Sequence, residues 1–141
     1  MKVIQSPVYG PLELSANQIY KFETEILGIS DIHDYGLFPL ADTSFFVLHA
    51  LQEDVSFILL PAHEALENYS FKISDEVVEL LKLESPDDVG VMLIVNIQNS
   101  ELYANLMAPI LLSPHSLRGI QYILKDQDMP IRYLIKRKEG E

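Results

Sequence analysis

Through most of this chain apolar side chains recur at every second position in short runs, the period of strands with one buried face. Pro, Gly, Asn and Asp punctuate the runs and mark turns between them. The opening MKVIQSPVYGPLELS alternates at Val3, Leu12 and Leu14 around Ser6-Pro7 and Gly10-Pro11, which predicts two short strands joined as a hairpin at the start of a meander. Residues 17–23 alternate again, with Ile19 and either Tyr20 or Phe22 facing inward. Residues 23–34 mix acids with Ile26, Leu27, Ile29 and Ile32 around Gly28, a pattern that predicts a loop with a short helical turn.

Two further strands, residues 35–40 and 45–51, flank the turn Ala41-Asp42-Thr43-Ser44, where the Asp and Thr oxygens are placed to accept nearby backbone amides. VSFILLP, residues 55–61, is almost unbroken apolar sequence and predicts a central strand of a closed or doubly covered sheet. PAHEALENY starts a single helical turn. SDEVVELLKL, residues 74–83, predicts the one clear helix: Ser74 caps it, Asp75 and Glu76 suit the positive end of the dipole, and Val77, Leu80 and Leu81 share a face. Residues 89–98, 102–113 and 118–125 predict three more strands, the first two joined at Asn99-Ser100 and the third alternating at Ile120, Tyr122 and Leu124.

About nine or ten short strands against one clear helix predict a mainly β single domain, a small closed barrel or a sandwich, with a helix over one opening. Closure removes the edges that so many apolar strands would expose. Phe45 and Phe46 are consecutive in a strand and face opposite ways, so only one fills the shared core. The other is covered by the helix at Ser74 or waits for a partner. YANLMAPILLS poses a similar question, because Asn105 enters an apolar run and Pro109 removes a ladder donor. The stretch predicts a bulged edge or barrel rim, whose Leu106 and Met107 either serve closure alone or face a partner.

Composition narrows the class. At 141 residues the chain suits one domain and buries roughly 65 to 70 per cent of its unfolded surface. It has no cysteine, no charged start followed by an apolar segment, and no apolar run near the length of a membrane span, so the cytoplasm is the expected compartment. The formal charge is −11, and residues 132–141 hold four basic and two acidic side chains, which leaves −13 on residues 1–131. That division predicts a globular domain over 1–131 followed by a basic tail. An acidic field of this size repels phosphate backbones and speeds the approach of basic partners, and it also serves plain solubility. Nothing in the sequence requires more than a monomer.

Candidate chemistry is sparse. His33, His49, His63 and His115 never fall within four residues of one another, and no calcium-loop pattern occurs, so no metal site is expected. His49 lies in an apolar strand and reads as a hydrogen-bonded core or rim histidine; His63 and His115 sit beside prolines in loops. No nucleophile elbow, P-loop or dinucleotide fingerprint is present. Asp42 and His49 would serve acid/base chemistry only if they line one pocket. Asp87 and Asp88 at a helix start read as caps.

FPLADTSFFVLHAL (residues 38–51), VSFILLP, SDEVVELLKL, DDVGVMLIV and ANLMAPILLS, in this order and spacing, resemble the flagellar assembly factor FliW family. The likeness runs from YGPLEL to about Leu124, and its densest motifs are D-T-x-F-F at 42–46 and A-N-L-x-A-P-I at 104–110, about sixty residues apart. The resemblance implies a small closed β-barrel with one or two short helices and no catalytic activity, cofactor or metal. It also implies two partners taken in turn, flagellin and the RNA-binding translational repressor CsrA. Family members sequester CsrA until accumulating flagellin captures them, which couples flagellin level to its translation. A dedicated flagellin chaperone that does not touch CsrA is the alternative. For a regulator of this kind the contact residues are expected at Asp42, Thr43 and Phe46 and at Asn105, Met107 and Pro109. This chain departs from the family's F-P-x-G-[IL]-P-G-F, keeping only Phe22 and Gly28 in FETEILGIS, and after the second motif LLSPHSLRG keeps only Arg118 and Gly119.

Overall fold

The computed structural model describes residues 2–26, 28–125 and 128–135. In chain order its strands are β1 (Lys2–Ser6), β2 (Gly10–Leu14), β3 (Ile19–Phe22), β4 (Asp34–Pro39), β5 (Phe46–Ala50) and β6 (Ser56–Pro61), followed by helices α1 (Ala62–Ala65) and α2 (Asp75–Leu80). Then come β7 (Gly90–Gln98), β8 (Glu101–Ala104), β9 (Ile110–Ser113), β10 (Arg118–Gln121) and β11 (Tyr133–Leu134). Strands β7, β6, β5, β4, β3, β10 and β9 pair in that order, and β9 returns to Gly90–Met92 of β7, which closes a seven-stranded barrel. Its pairs are antiparallel except β10 with β3. The fold is therefore mainly β, as the strand pattern predicts, and of the barrel and sandwich which that pattern left open it is the closed barrel that the resemblance implies.

Side chains alternate across this wall as the pleat requires. Tyr20, Phe22, Tyr35, Leu48, Leu59 and Ile110 belong to the cluster that fills the barrel. The outer face carries three separate covers. The β1–β2 hairpin lies on β4: a Cβ on Gly36 would stand 2.1 Å from Leu14 Cδ1 and 3.6 Å from Ile4 Cδ1, so any larger residue there would force Leu14 to move. Helix α1 and the C-terminal segment cover Leu60, Leu93, Val95 and Leu102, while α2 sets Val77 and Leu81 on Leu111 and Ile120.

Several expectations need correcting. The first hairpin forms its own two-stranded sheet and does not join the meander. Residues 23–34 contain no helix among the described residues, only a turn closed by Ile29 N–H donating to Ile26 O. Helix α2 covers an outer wall, since its contacts Leu111 and Ile120 point away from the barrel interior; it does not plug an opening. It also stops at Leu80, short of Leu83, because Lys82 turns left-handed at φ 56° while its N–H and that of Leu83 return to Glu79 O and Val78 O. The fold does not end at residue 131 either. β11 pairs with β8 and Ile135 packs beside it, so only residues 136–141 of the expected tail remain, and these lie outside the described residues.

Candidate functional site

The strand expected over residues 102–113 is two strands on one edge of β7. β8 pairs with Val95–Gln98 and β9 with Gly90–Met92, and residues 105–109 bridge the gap. Asn105 explains the break. Its N–H still donates to Ile94 O at 3.0 Å, while its side-chain Oδ1 accepts from Met107 N–H at 2.9 Å and Ala108 N–H at 3.2 Å. The freed carbonyls are also used: Tyr122 N–H donates to Pro109 O and Leu124 N–H to Met107 O, each at 2.8 Å. Tyr69 Oη donates to Leu106 O at 2.6 Å, and burial pushes its pKa up to about 12. Pro109 is thus placed where no ladder donor is wanted.

This bulge re-aims its side chains inward. Leu106 is 2% exposed, and Ala108 and Pro109 are buried, so Leu106 does not face outward as one reading of the stretch had it; Met107 and Asn105 are half-buried. In the β4–β5 turn, Asp42 (φ 62°) and Thr43 are exposed. Thr43 Oγ1 donates to Leu40 O at 2.9 Å and accepts from Phe45 N–H at 3.1 Å, which fixes the turn. Phe46 packs on the barrel core and Phe45 on the cluster outside β6 and β7, so the second phenylalanine is covered by the α1 side of the molecule and not by α2. The two motifs share one row across the sheet, with Phe46 opposite Leu59, Leu59 opposite Ile94, and Ile94 bonded to Asn105. Three strand spacings, about 14 Å, separate them.

Asp42 and His49 are not brought together. His49 is 1% exposed beneath the hairpin, with Nδ1 2.8 Å from Ala50 O and Nε2 3.1 Å from Ser6 Oγ, whereas Asp42 lies on the open turn. No group of three or more potential metal ligands occurs among the described residues. Asp88 is a cap, as expected: Oδ2 accepts from Glu84 N–H at 2.8 Å and Ser85 N–H at 3.0 Å, bonds that hold its carboxyl below the ordinary range. Burial, helped by the Glu25 carboxylate, pushes Tyr35 up to about 12; its hydroxyl is buried and has no hydrogen-bond partner among the described residues.

Beyond Val95, β7 leaves the barrel and forms a flange with β8 and β11. One face of the flange packs Val95, Leu102 and Ala104 but leaves Ile97 64% exposed at its end; the other carries exposed Asn96, Gln98 and Glu101 with half-buried Tyr103. Arg132 Cζ stands 4.1 Å over the Tyr103 ring centroid, and its guanidinium donates to Gln98 Oε1. Motif reading missed this surface. Its signal lay in VNIQ, where polar Asn96 and Gln98 replace apolar residues on one face only.

Comparison with known proteins fits this geometry. The FliW protein family model matches residues 2–135. The flagellar assembly factor FliW of Caldicellulosiruptor bescii is 33% identical over 136 residues, covering 94% of this chain and 90% of that protein. The chain belongs to the FliW family. The flagellar assembly factor FliW of Bacillus licheniformis is 31% identical over 142 residues, covering 98% of this chain and 96% of its own. A crystal structure of the flagellar assembly factor FliW superposes with a TM-score of 0.89 at 24% identity, covering 97% of this chain and 99% of that one, which shows a shared fold. In this FliW-family chain Phe22 and Gly119, far apart in sequence, prove to be neighbours. A Cβ on Gly119 would lie 2.6 Å from the Phe22 ring, and the two residues are paired in register between β10 and β3. Among the described residues no helix is long and apolar enough to cross a membrane.

Proposed function

We propose that this flagellar assembly factor acts in the cytoplasm as a non-enzymatic regulator that binds flagellin and antagonises CsrA, coupling flagellin level to flagellin translation. The observation that carries the reading is the family match over residues 2–135. A formal charge of −11 supports it physically, because a protein that binds RNA presents cations, and an acidic protein reaches such a surface quickly and repels RNA from it. Of the motif side chains, exposed Asp42 and Thr43 and half-buried Met107 are available for contact, while Phe46, Asn105 and Pro109 act through the fold that presents them.

The test is a pull-down with purified components at low salt. The regulator retains CsrA when flagellin is absent and releases it when flagellin is added. Retention of flagellin alone would instead identify a dedicated chaperone, the reading that the altered loop around Gly28 and the reduced LLSPHSLRG segment would favour. Binding of neither protein at micromolar concentration sinks both.

A further inference from the structure

Two open clefts outside the turn and the bulge meet at Val89. One, of about 370 Å³, is lined by Phe71, Ile73, Val78, Leu83 and Val89, with Glu84 and Lys72 also in its lining. Its neighbour, of about 380 Å³, is lined by Leu66, Tyr69, Val89 and Met92, with His63 and Glu67 at the margin. The Tyr69 and Phe71 rings meet edge to face with centroids 5.5 Å apart, so the clefts share a wall as well as Val89 and form one trough. Its apolar lining is largely half-buried: Phe71, Ile73, Leu83 and Val89 pack on the α2 cluster and Leu66 and Tyr69 on the α1 cluster, yet each keeps part of its surface open, while Met92 belongs to the barrel core.

The chain segment around this trough is predominantly acidic. Glu67 and Glu84 line the clefts against Lys72, and the segment that supplies most of the lining, residues 62–89, carries eight carboxylates against Lys72 and Lys82, about half of the chain's formal −11. The Asp88 carboxyl, held below the ordinary range by two amides, contributes its full charge at neutral pH. An apolar floor with a negative frame attracts a segment that combines apolar anchors with cations, and it rejects acidic helices and nucleic acid. A second copy of this chain would bring like charge to the same rim.

We infer that the trough from α1 to α2 docks a lysine- or arginine-flanked apolar segment of another polypeptide, its apolar side chains seated on Val89 and its cations directed to Glu67 and Glu84. The inference rests on the docking role proposed above and adds to it a surface and a ligand chemistry. Binding is read by fluorescence anisotropy with a labelled peptide of about a dozen residues in which leucines alternate with lysine pairs, and with its glutamate counterpart. The lysine peptide binds the full chain and the glutamate peptide does not. Glu67→Lys with Glu84→Lys weakens binding by about tenfold or more, whereas the charge-matched pair Glu13→Lys with Glu53→Lys weakens it by less than about threefold. Leu83→Ser, which keeps the charge, also weakens it, and thermal melts of all variants report whether they fold. Equal loss in the two charge-reversed pairs, equal binding of both peptides, or no binding of the lysine peptide overturns the inference. A chain that binds the peptide through the trough but neither flagellin nor CsrA breaks the docking role and leaves the trough intact.

Discussion

The two halves of β7 live under different constraints. From Gly90 to Ile94 the strand is part of the closed ring: Met92 and Ile94 face the barrel core, and Leu93 packs on the outer cluster. From Val95 onward one face is polar and exposed at Asn96 and Gln98, and the other stays apolar, buried at Val95 and open again at Ile97. The same strand thus passes from a wall apolar on both sides to a flange apolar on one. Closure, not strand propensity, sets which residues it can carry. Stability should therefore concentrate in the ring, while the flange and the troughed outer face remain free to change.

The largest break in that contrast comes from the ring itself. Phe22→Ala removes a fully buried ring and should cost about 3–5 kcal/mol in urea unfolding. Gly119→Ala forces a methyl against that ring and should cost about 1–3 kcal/mol alone, but far less in the Phe22→Ala background. Additive losses in that cycle would deny the contact.

Alkaline titration probes the ring next, with Tyr35→Phe isolating its share from that of Tyr69, which is raised to about 12 as well. The Tyr35 pKa is raised to about 12, so its contribution is complete below pH 10 and is lost as pH climbs towards 12, at up to about 1.4 kcal/mol per pH unit. Tyr35→Phe should abolish this part of the alkaline loss and raise stability at neutral pH by about 1 kcal/mol, because it removes a buried hydroxyl that has no partner among the described residues. Thermal melts between pH 7 and 12 measure both.

At the junction of the two regions, Tyr69→Phe should cost about 1 kcal/mol by freeing Leu106 O, with faster amide exchange at Met107 and Ala108 and little change in the ring. Smallest is Arg132→Ala on the flange. Losing an exposed cation–π contact there should cost about 0.5 kcal/mol, and a loss as large as that of Phe22→Ala would erase the distinction between flange and ring.

Much of this architecture was legible. Alternation located most of the strands, Ser74 marked the start of α2, and the adjacent phenylalanines correctly demanded two buried surfaces, because these features follow from the pleat and from local capping. The candidate site was less so. D-T-x-F-F and A-N-L-x-A-P-I are dense because turns and bulges need particular oxygens and a missing N–H, and this local chemistry resembles a contact motif when read along the chain. Burial of Leu106 and Pro109 depends on where the bulge points, which no local rule states.

Taken by itself, the amino-acid order determined a mainly β chain with one capped helix, a strongly acidic exterior and membership of a recognisable family, since periodicity, capping and charge are properties of neighbouring residues. Only the tertiary structure decided that β9 closes on β7, that Phe22 lies against Gly119, and that α1 and α2 frame one apolar trough. These are meetings of residues far apart in sequence. They are selected by which surfaces can be buried together, and that choice exists only once the whole sheet has closed.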